Sequence, residues 1–210
     1  MALPDDTLTI VRSYGGMVSI CISEPDSGLY DAMNKGLRLA SGQFIHFLNA
    51  DDRYFSSDTL SGLLLNLDSE AVCHAQMIYV DNFGKHRVLG EPFNRDRELR
   101  ASRMPQPVMV VPSHMYEKVG FFNASYRIAA DYDMVLRLTR EFPTRFIKMP
   151  MTVMRYGGVS YQYPRLAFSE AKQVARAHGH GVLTSWLDEQ LKLLKWNIRA
   201  IWNNFKHDNT

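Results

Sequence analysis

Phe44-Ile45-His46-Phe47-Leu48-Asn49-Ala50-Asp51-Asp52 is the stretch on which the reading of the fold turns. Its first five residues are compact and mostly apolar, the pattern of a strand buried on both faces of a parallel sheet. The run stops abruptly at Asn49-Ala50-Asp51-Asp52, where two adjacent carboxylates repel unless solvent or a cation compensates. In open α/β sheets, ligands gather outside the carboxyl ends of strands. Hard divalent ions take oxygen ligands and commonly bridge one or two carboxylates to substrate phosphates. The competing reading is a solvated turn that also caps the next helix, since Asp is common in both roles. On the Asp pair alone, that plainer reading is the stronger one.

Upstream, Val18–Ile22 is a short apolar run suited to a strand, and Glu24-Pro25-Asp26-Ser27-Gly28 carries turn chemistry. Apolar residues then fall at Leu29, Met33, Leu37 and Ala40, a helical spacing closed by Gly42. Asp31, Asn34, Lys35 and Arg38 collect on the opposite face. Downstream, Ser57 or Asp58 caps a helix with Leu60, Leu63, Leu64 and Leu67 along one side. Val72–Val80 and His86–Leu89 flank Asp81-Asn82-Phe83-Gly84-Lys85 and read as a hairpin. Residues 91–106 show no period and read as a loop. Val108–Val111 reads as a strand, and Pro112-Ser113 opens a helix that closes at Gly120. Ala130–Phe142 is a helix, and residues 145–156 hold one or two strands interrupted at Pro150. A Gly157-Gly158-Val159-Ser160 loop follows, and the remainder is helical. Alternation of this kind predicts an α/β domain with a mainly parallel mixed sheet over residues 1–160, and a C-terminal helical extension over 161–210.

Composition narrows the function classes. Of 210 residues, 46 % are hydrophobic and 22 % charged, enough for one real core and close to the average for globular chains. A net charge of +2 is too small to point to nucleic acid. Cys21 and Cys73 both sit inside apolar runs, which predicts buried free thiols in a reducing compartment. No run approaches the ~18 apolar residues of a membrane span, and Met1–Thr9 is acidic and polar, unlike a signal peptide. A cytoplasmic location is the expectation.

Three blocks together carry a resemblance. They are Ser23 to Gly36 (Ser-Glu-Pro-Asp-Ser-Gly-Leu-Tyr-Asp-Ala-Met-Asn-Lys-Gly), Ala40-Ser41-Gly42, and Phe47 to Asp52. This pattern closely resembles family 2 glycosyltransferases, above all the bacterial enzymes that build exopolysaccharide, capsule and lipopolysaccharide chains. The likeness continues through Tyr116–Phe122, Ala130–Leu138 and Gly157–Ser160, so it spans about residues 5–160. It implies a GT-A (Rossmann-like) fold and inverting, metal-dependent transfer of a sugar from a nucleotide-sugar donor. The acceptor implied is a hydroxyl of a saccharide or a lipid-linked saccharide.

By that resemblance, Asn49-Ala50-Asp51 occupies the family's Asp-x-Asp position, which holds Mg²⁺ or Mn²⁺ on the donor diphosphate. Asn49 brings no negative charge, so the metal is expected on Asp51, with Asp52 as second choice. Asp26, Asp31, Asn34, Lys35, Asn49 and Asp52 match the segments beside the donor. For the helix face, the plain alternative is a solvated surface with an i,i+4 Asp31–Lys35 pair. Asp131 matches the family's catalytic base. Periodicity agrees independently: Asp131, Met134, Val135 and Leu138 share one helical stripe, while Asp133 lies off it and can pair with Arg137.

The pattern departs from the family in two places. Gln106-Pro107 stands where many relatives carry His-Gln, so the role of that His is not carried over. Ala2–Thr7 aligns with the end of the family's second βα unit, and the preceding strand, helix and strand have no counterpart. That raises a non-catalytic remnant or binding protein as the alternative. A metal-dependent nuclease or phosphatase built on Asp51 and Asp52 is the weaker third reading, because further ligands at recognisable spacing are missing. In the tail, Leu187, Leu191, Leu194, Ile198, Ile201 and Phe205 form an amphipathic stripe, with Lys192, Lys195, Arg199 and Lys206 off it and Trp186, Trp196 and Trp202 decorating the helix. Docking on the chain's own domain or on a second subunit, as a homodimer, is the first expectation. Peripheral contact with an anionic membrane is the second.

Overall fold

The computed structural model describes residues 6–207, with side chains to residue 197. The expectations placed on residues 2–5, and those on the side chains of Ile198, Arg199, Ile201, Trp202, Phe205 and Lys206, lie outside the described residues. Helices α1 (Thr7–Ser13) and α2 (Leu29–Leu39) precede strands β1 (Phe44–Ile45) and β2 (Arg53–Tyr54). Next come α3 (Thr59–Leu64), β3 (Val72–Val80), β4 (His86–Leu89), α4 (Arg95–Arg100) and β5 (Met109–Pro112). The chain continues through α5 (Ser113–Val119), α6 (Ala130–Glu141), β6 (Thr144–Arg155), α7 (Val159–Gln162), α8 (Pro164–Ala177) and α9 (Val182–His207).

The sheet has the order β1-β5-β3-β6-β2, with β4 paired to β3. It is a mixed α/β sheet, as the alternation of elements implies. Parallel pairing is confined to β3 with β6, and the other neighbours run antiparallel. Strand β1 therefore lies at an edge, against β5, rather than in the middle of a parallel sheet. Pro150 does not split β6. Its missing N–H is absorbed where the β3 register shifts around Gln76, the residue opposite it. The β3–β4 hairpin forms as predicted, and the Asp81 carboxylate receives the N–H groups of Phe83 and Lys85, both at 3.0 Å.

Other elements also differ from the sequence expectation, and α7 begins inside the expected 157–160 loop. Val18–Ile22 forms no ladder and is exposed, with Ile20 at 56 % and Ile22 at 55 %. An extended apolar run becomes a strand only beside another strand, and no described residue pairs with this one. Cys21, inside it, is consequently exposed, while Cys73 on β3 is buried as expected. In α2 the buried stripe is Tyr30, Met33, Asn34 and Leu37, one residue out of phase with a stripe starting at Leu29, which is exposed. Helix α2 also stops before Gly42, with Ala40 as its extended cap. The expected loop over 91–106 contains α4, started by the Asn94 side chain accepting the Arg97 N–H at 3.0 Å.

Buried side chains among the described residues form three clusters. One packs Tyr30, Met33 and Leu37 of α2 against Met115 and Tyr116 of α5 and Met134, Val135 and Leu138 of α6. A further cluster joins Tyr132 and Leu136 of α6 to Val174 and Ala175 of α8. Helix α8 thus shares core with the helix that carries Asp131. Helix α9 docks on α8 through the Lys172–Glu189 pair, at 2.7 Å, and buries Ser185. Leu187, Leu191 and Leu194 remain exposed, so the predicted stripe is not the face that docks on the domain. Among the described residues no helix is long and apolar enough to cross a membrane.

Candidate active site

Asp131 sits in the first turn of α6, partly buried, and the stripe it shares with Met134, Val135 and Leu138 faces the core. Its Oδ1 accepts the Tyr132 N–H at 2.8 Å and lies 3.1 Å from the Tyr30 hydroxyl. The same hydroxyl donates to the Ile128 carbonyl. Burial pushes the Asp131 carboxyl above the ordinary carboxylate value, against the opposing pull of the Tyr132 N–H and the Tyr30 hydroxyl. A carboxylate raised in this way is a better proton acceptor than a free one at neutral pH. Tyr30 is a partner that sequence reasoning missed. The available signal was the phase of α2, since Tyr30, Met33 and Leu37 fall at i, i+3 and i+7.

Asp133 has a different environment. It is buried, and its carboxylate pairs with Arg137 Nε at 2.8 Å and with His178 Nε2 of the α8 terminus at 2.9 Å. Arg137 also donates to the carbonyls of Val119 and Phe121. Burial alone would raise the Asp133 carboxyl, but the His178 hydrogen bond and the Arg137 charge outweigh it and hold the group below its ordinary value. The expected Arg137 pair is present. Its burial makes it part of a network rather than a solvated surface pair.

The loop after β1 divides its two carboxylates. Asp51 is exposed. Asp52 is buried, accepts the Asn49 amide on Oδ2 at 3.1 Å, and leaves a buried Oδ1 with no hydrogen-bond partner among the described residues. Burial, with the Asp51 charge adding to it, pushes the Asp52 carboxyl above its ordinary value, and the Asn49 amide pulls the other way. No cluster of three or more His, Cys, Asp or Glu groups suited to a metal occurs among the described residues. The donor set is therefore an exposed carboxylate beside a carboxamide, which fits a cation shared with a diphosphate and not an all-protein cage.

Aromatic packing ties this loop to the Asp131 neighbourhood. Phe47, two residues before Asn49, meets Phe122 edge-on at 5.5 Å, and Phe122 stacks on Tyr30 at 5.8 Å. Gln106, at the position where a His was not carried over, donates to the Phe47 carbonyl at 3.3 Å. Its part here is to hold the end of the strand run.

The remaining candidates lie around the start of α2. Gly28, at φ 128°, opens the helix in a conformation that L side chains rarely adopt, and its N–H donates to Asp26 at 2.9 Å. Asp31 reaches back to the Ser27 N–H at 3.0 Å, as a residue in a first turn should. Lys35 binds Glu24 at 2.9 Å and the Pro25 carbonyl at 2.8 Å, and its i,i+4 contact with Asp31 is 3.4 Å. Asp26 and Lys35 line a cavity of about 600 Å³ whose walls include Leu8, Val11, Ile20 and Leu39. Asn34 is turned away from it. Both ends of its buried amide are used on Phe122, donating to the carbonyl at 2.9 Å and accepting the N–H at 2.8 Å. That side chain clamps the Phe122 loop to α2.

The family model for glycosyl transferase family 2 matches residues 2–122, more than half of the chain. The chain belongs to the family 2 glycosyltransferases. Among the relatives of this chain, a PGL/p-HBAD biosynthesis glycosyltransferase of Mycobacterium bovis is 29 % identical over 157 residues, covering 72 % of this chain and 57 % of the relative. An uncharacterised glycosyltransferase of Mycobacterium tuberculosis is 29 % identical over 161 residues, covering 74 % and 62 %. The chain thus spans roughly three fifths of the length of these two relatives. Staphylococcus aureus TarS superposes with a TM-score of 0.58 at 18 % identity, over 81 % of this chain and 31 % of that one. A mannosyltransferase of Pyrobaculum calidifontis, solved with GDP-Man and Mn²⁺, gives 0.54 at 18 % identity, over 84 % and 52 %. These likenesses establish the GT-A type of fold.

Proposed function

We propose that this glycosyltransferase carries out inverting, cation-assisted transfer of a sugar from a nucleoside-diphosphate donor to a hydroxyl of a saccharide or lipid-linked saccharide in surface-glycan synthesis. The observation that carries the reading is Asp131, a carboxylate with a raised affinity for protons at the start of a core helix, steadied by Tyr30 and the Tyr132 N–H. Asp131 takes the proton of the acceptor hydroxyl. The oxygen attacks the anomeric carbon from the face opposite the diphosphate, the bond from that carbon to the diphosphate oxygen breaks, and the sugar configuration inverts. Help from a positioned base is worth about 10²–10⁴-fold.

Asp51 and Asn49 would hold Mg²⁺ or Mn²⁺ together with the diphosphate, with Asp52 behind them fixing the Asn49 amide. When bound, the cation supplies offsetting positive charge for the leaving diphosphate. Asp26, Asp31 and Lys35 shape the rim where the donor nucleoside lies, with Asp31 and Lys35 pinning the 24–28 turn. The Pyrobaculum mannosyltransferase, solved with GDP-Man and Mn²⁺, supports a nucleotide-sugar donor and a divalent cation for this fold.

Calorimetry with UDP or GDP tests the cation site. Affinity in Mn²⁺ should exceed that in EDTA by at least about tenfold, roughly 1.4 kcal/mol, and Asp51→Ala should remove that gain. Equal affinity under both conditions removes Asp51 from the role.

A further inference from the structure

Helix α6 begins without a cap of its own. The residue before it is Ala129, which offers no side-chain acceptor, although a helix start leaves backbone N–H groups without intrahelical partners. Glu170 of α8 instead holds the backbone that leads into the helix. Glu170, buried at 7 % exposure, receives the Arg127 N–H on Oε1 at 2.9 Å. Its Oε2 receives the N–H groups of Ile128 at 2.8 Å and Ala129 at 3.0 Å.

The clamped residues are those that set the surroundings of Asp131. The Ile128 carbonyl competes with Asp131 for the single proton of the Tyr30 hydroxyl. Moving the 127–129 segment therefore changes both the direction of the first turn of α6 and the hydrogen bond that Asp131 receives. We infer that Glu170 is a positioning residue for the Asp131 base, acting through the 127–129 backbone and Tyr30. It lies outside the 2–122 segment matched by the family model, so the helical C-terminal part takes part in the site. The inference rests on Asp131 being the base.

Glu170→Gln tests it. The amide keeps the shape but offers one acceptor oxygen where two served, and it turns an NH₂ toward backbone N–H groups. A loosened or shifted base of this kind should lower kcat by about 10–100-fold, with the donor KM held within about twofold. The carboxyl ¹³C titration of Asp131 should also move down toward the ordinary carboxylate value, because burial is what raises it and a displaced first turn lets solvent reach it. A purely structural Glu170 would lower the melting temperature and leave kcat and the Asp131 titration of the folded protein unchanged, and that result overturns the inference. If Asp131→Asn keeps its activity, the base assignment fails, and the titration still decides whether Glu170 governs Asp131. Should Glu170→Gln not fold, Glu170→Asp, which keeps the charge and shortens the reach, must show the same two effects, and their absence overturns the inference equally.

Discussion

Asp131→Asn is expected to lower sugar transfer by about 10²–10⁴-fold, with donor binding and melting temperature nearly unchanged. Asn keeps an oxygen for the Tyr132 N–H and the Tyr30 hydroxyl, so the local hydrogen bonds survive. It also removes a charge that burial disfavours, which offsets any loss of stability. What it cannot do is accept a proton. The pH dependence has a definite sign. Burial holds the Asp131 carboxyl above its ordinary value, so wild-type activity should fall on the acid side at a pH above the ~3.9 of a free Asp. A fully active Asp131→Asn enzyme would mean that the base lies elsewhere.

Asp133→Ala should leave the chemistry intact and cost stability. The sequence, which shows Asp133 only as an i,i+4 partner of Arg137, predicts a loss of a few tenths of a kcal/mol. The structure raises that figure, because the carboxylate is buried between Arg137 and His178. Removing one member of a buried pair strands the other, at about 3 kcal/mol, the low end of the range since Arg137 keeps two carbonyl partners. The melting temperature should drop by roughly 6–12 °C, read by thermal denaturation. Since the folded Asp133 carboxyl lies below its unfolded value, its contribution is fully present above pH ~4 and is lost as the pH falls through the folded value. Asp133→Asn should accordingly flatten stability against pH in that acid window. A change under 1 kcal/mol would show that the network contributes no more than a surface pair.

These two aspartates show how far local pattern carries. Residues 130–141 announce their helix and its core stripe through periodicity, and the resemblance supplies a role for Asp131. The Asp81 turn, likewise, is written into five consecutive residues. The environment of Asp131 was not legible, because it is made by long-range contacts. Tyr30 is 101 residues away and Glu170 is 41 residues from Ala129, and neither separation leaves a trace in local spacing. Phase errors had the same origin. A stripe starting at Leu29 and one starting at Tyr30 differ by a single residue, and only the contact with Phe122 and Asp131 decides between them.

Strands depended on partners more than helices did. Val18–Ile22 has the composition of a strand and no described neighbour to pair with, so its apolar side chains and Cys21 stay exposed. Phe44–Leu48 has the composition of a central strand, yet only Phe44 and Ile45 join a ladder, at an edge. Helix α9 posed the opposite problem. Leu187, Leu191 and Leu194 of its stripe stay exposed, and it is Glu189 that meets Lys172 of α8.

The central claim is that the loop after β1 and the start of α6 border one cleft in which the donor diphosphate lies. A crystal structure of the chain with a nucleoside diphosphate and Mn²⁺, phased to show manganese anomalous scattering, tests it most directly. The account predicts a single manganese peak against the Asp51 carboxylate, with the diphosphate beside it and the Asp131 carboxylate opening onto the same space. A peak remote from Asp51, or an Asp131 walled off from the diphosphate on the other side of the sheet, would contradict it.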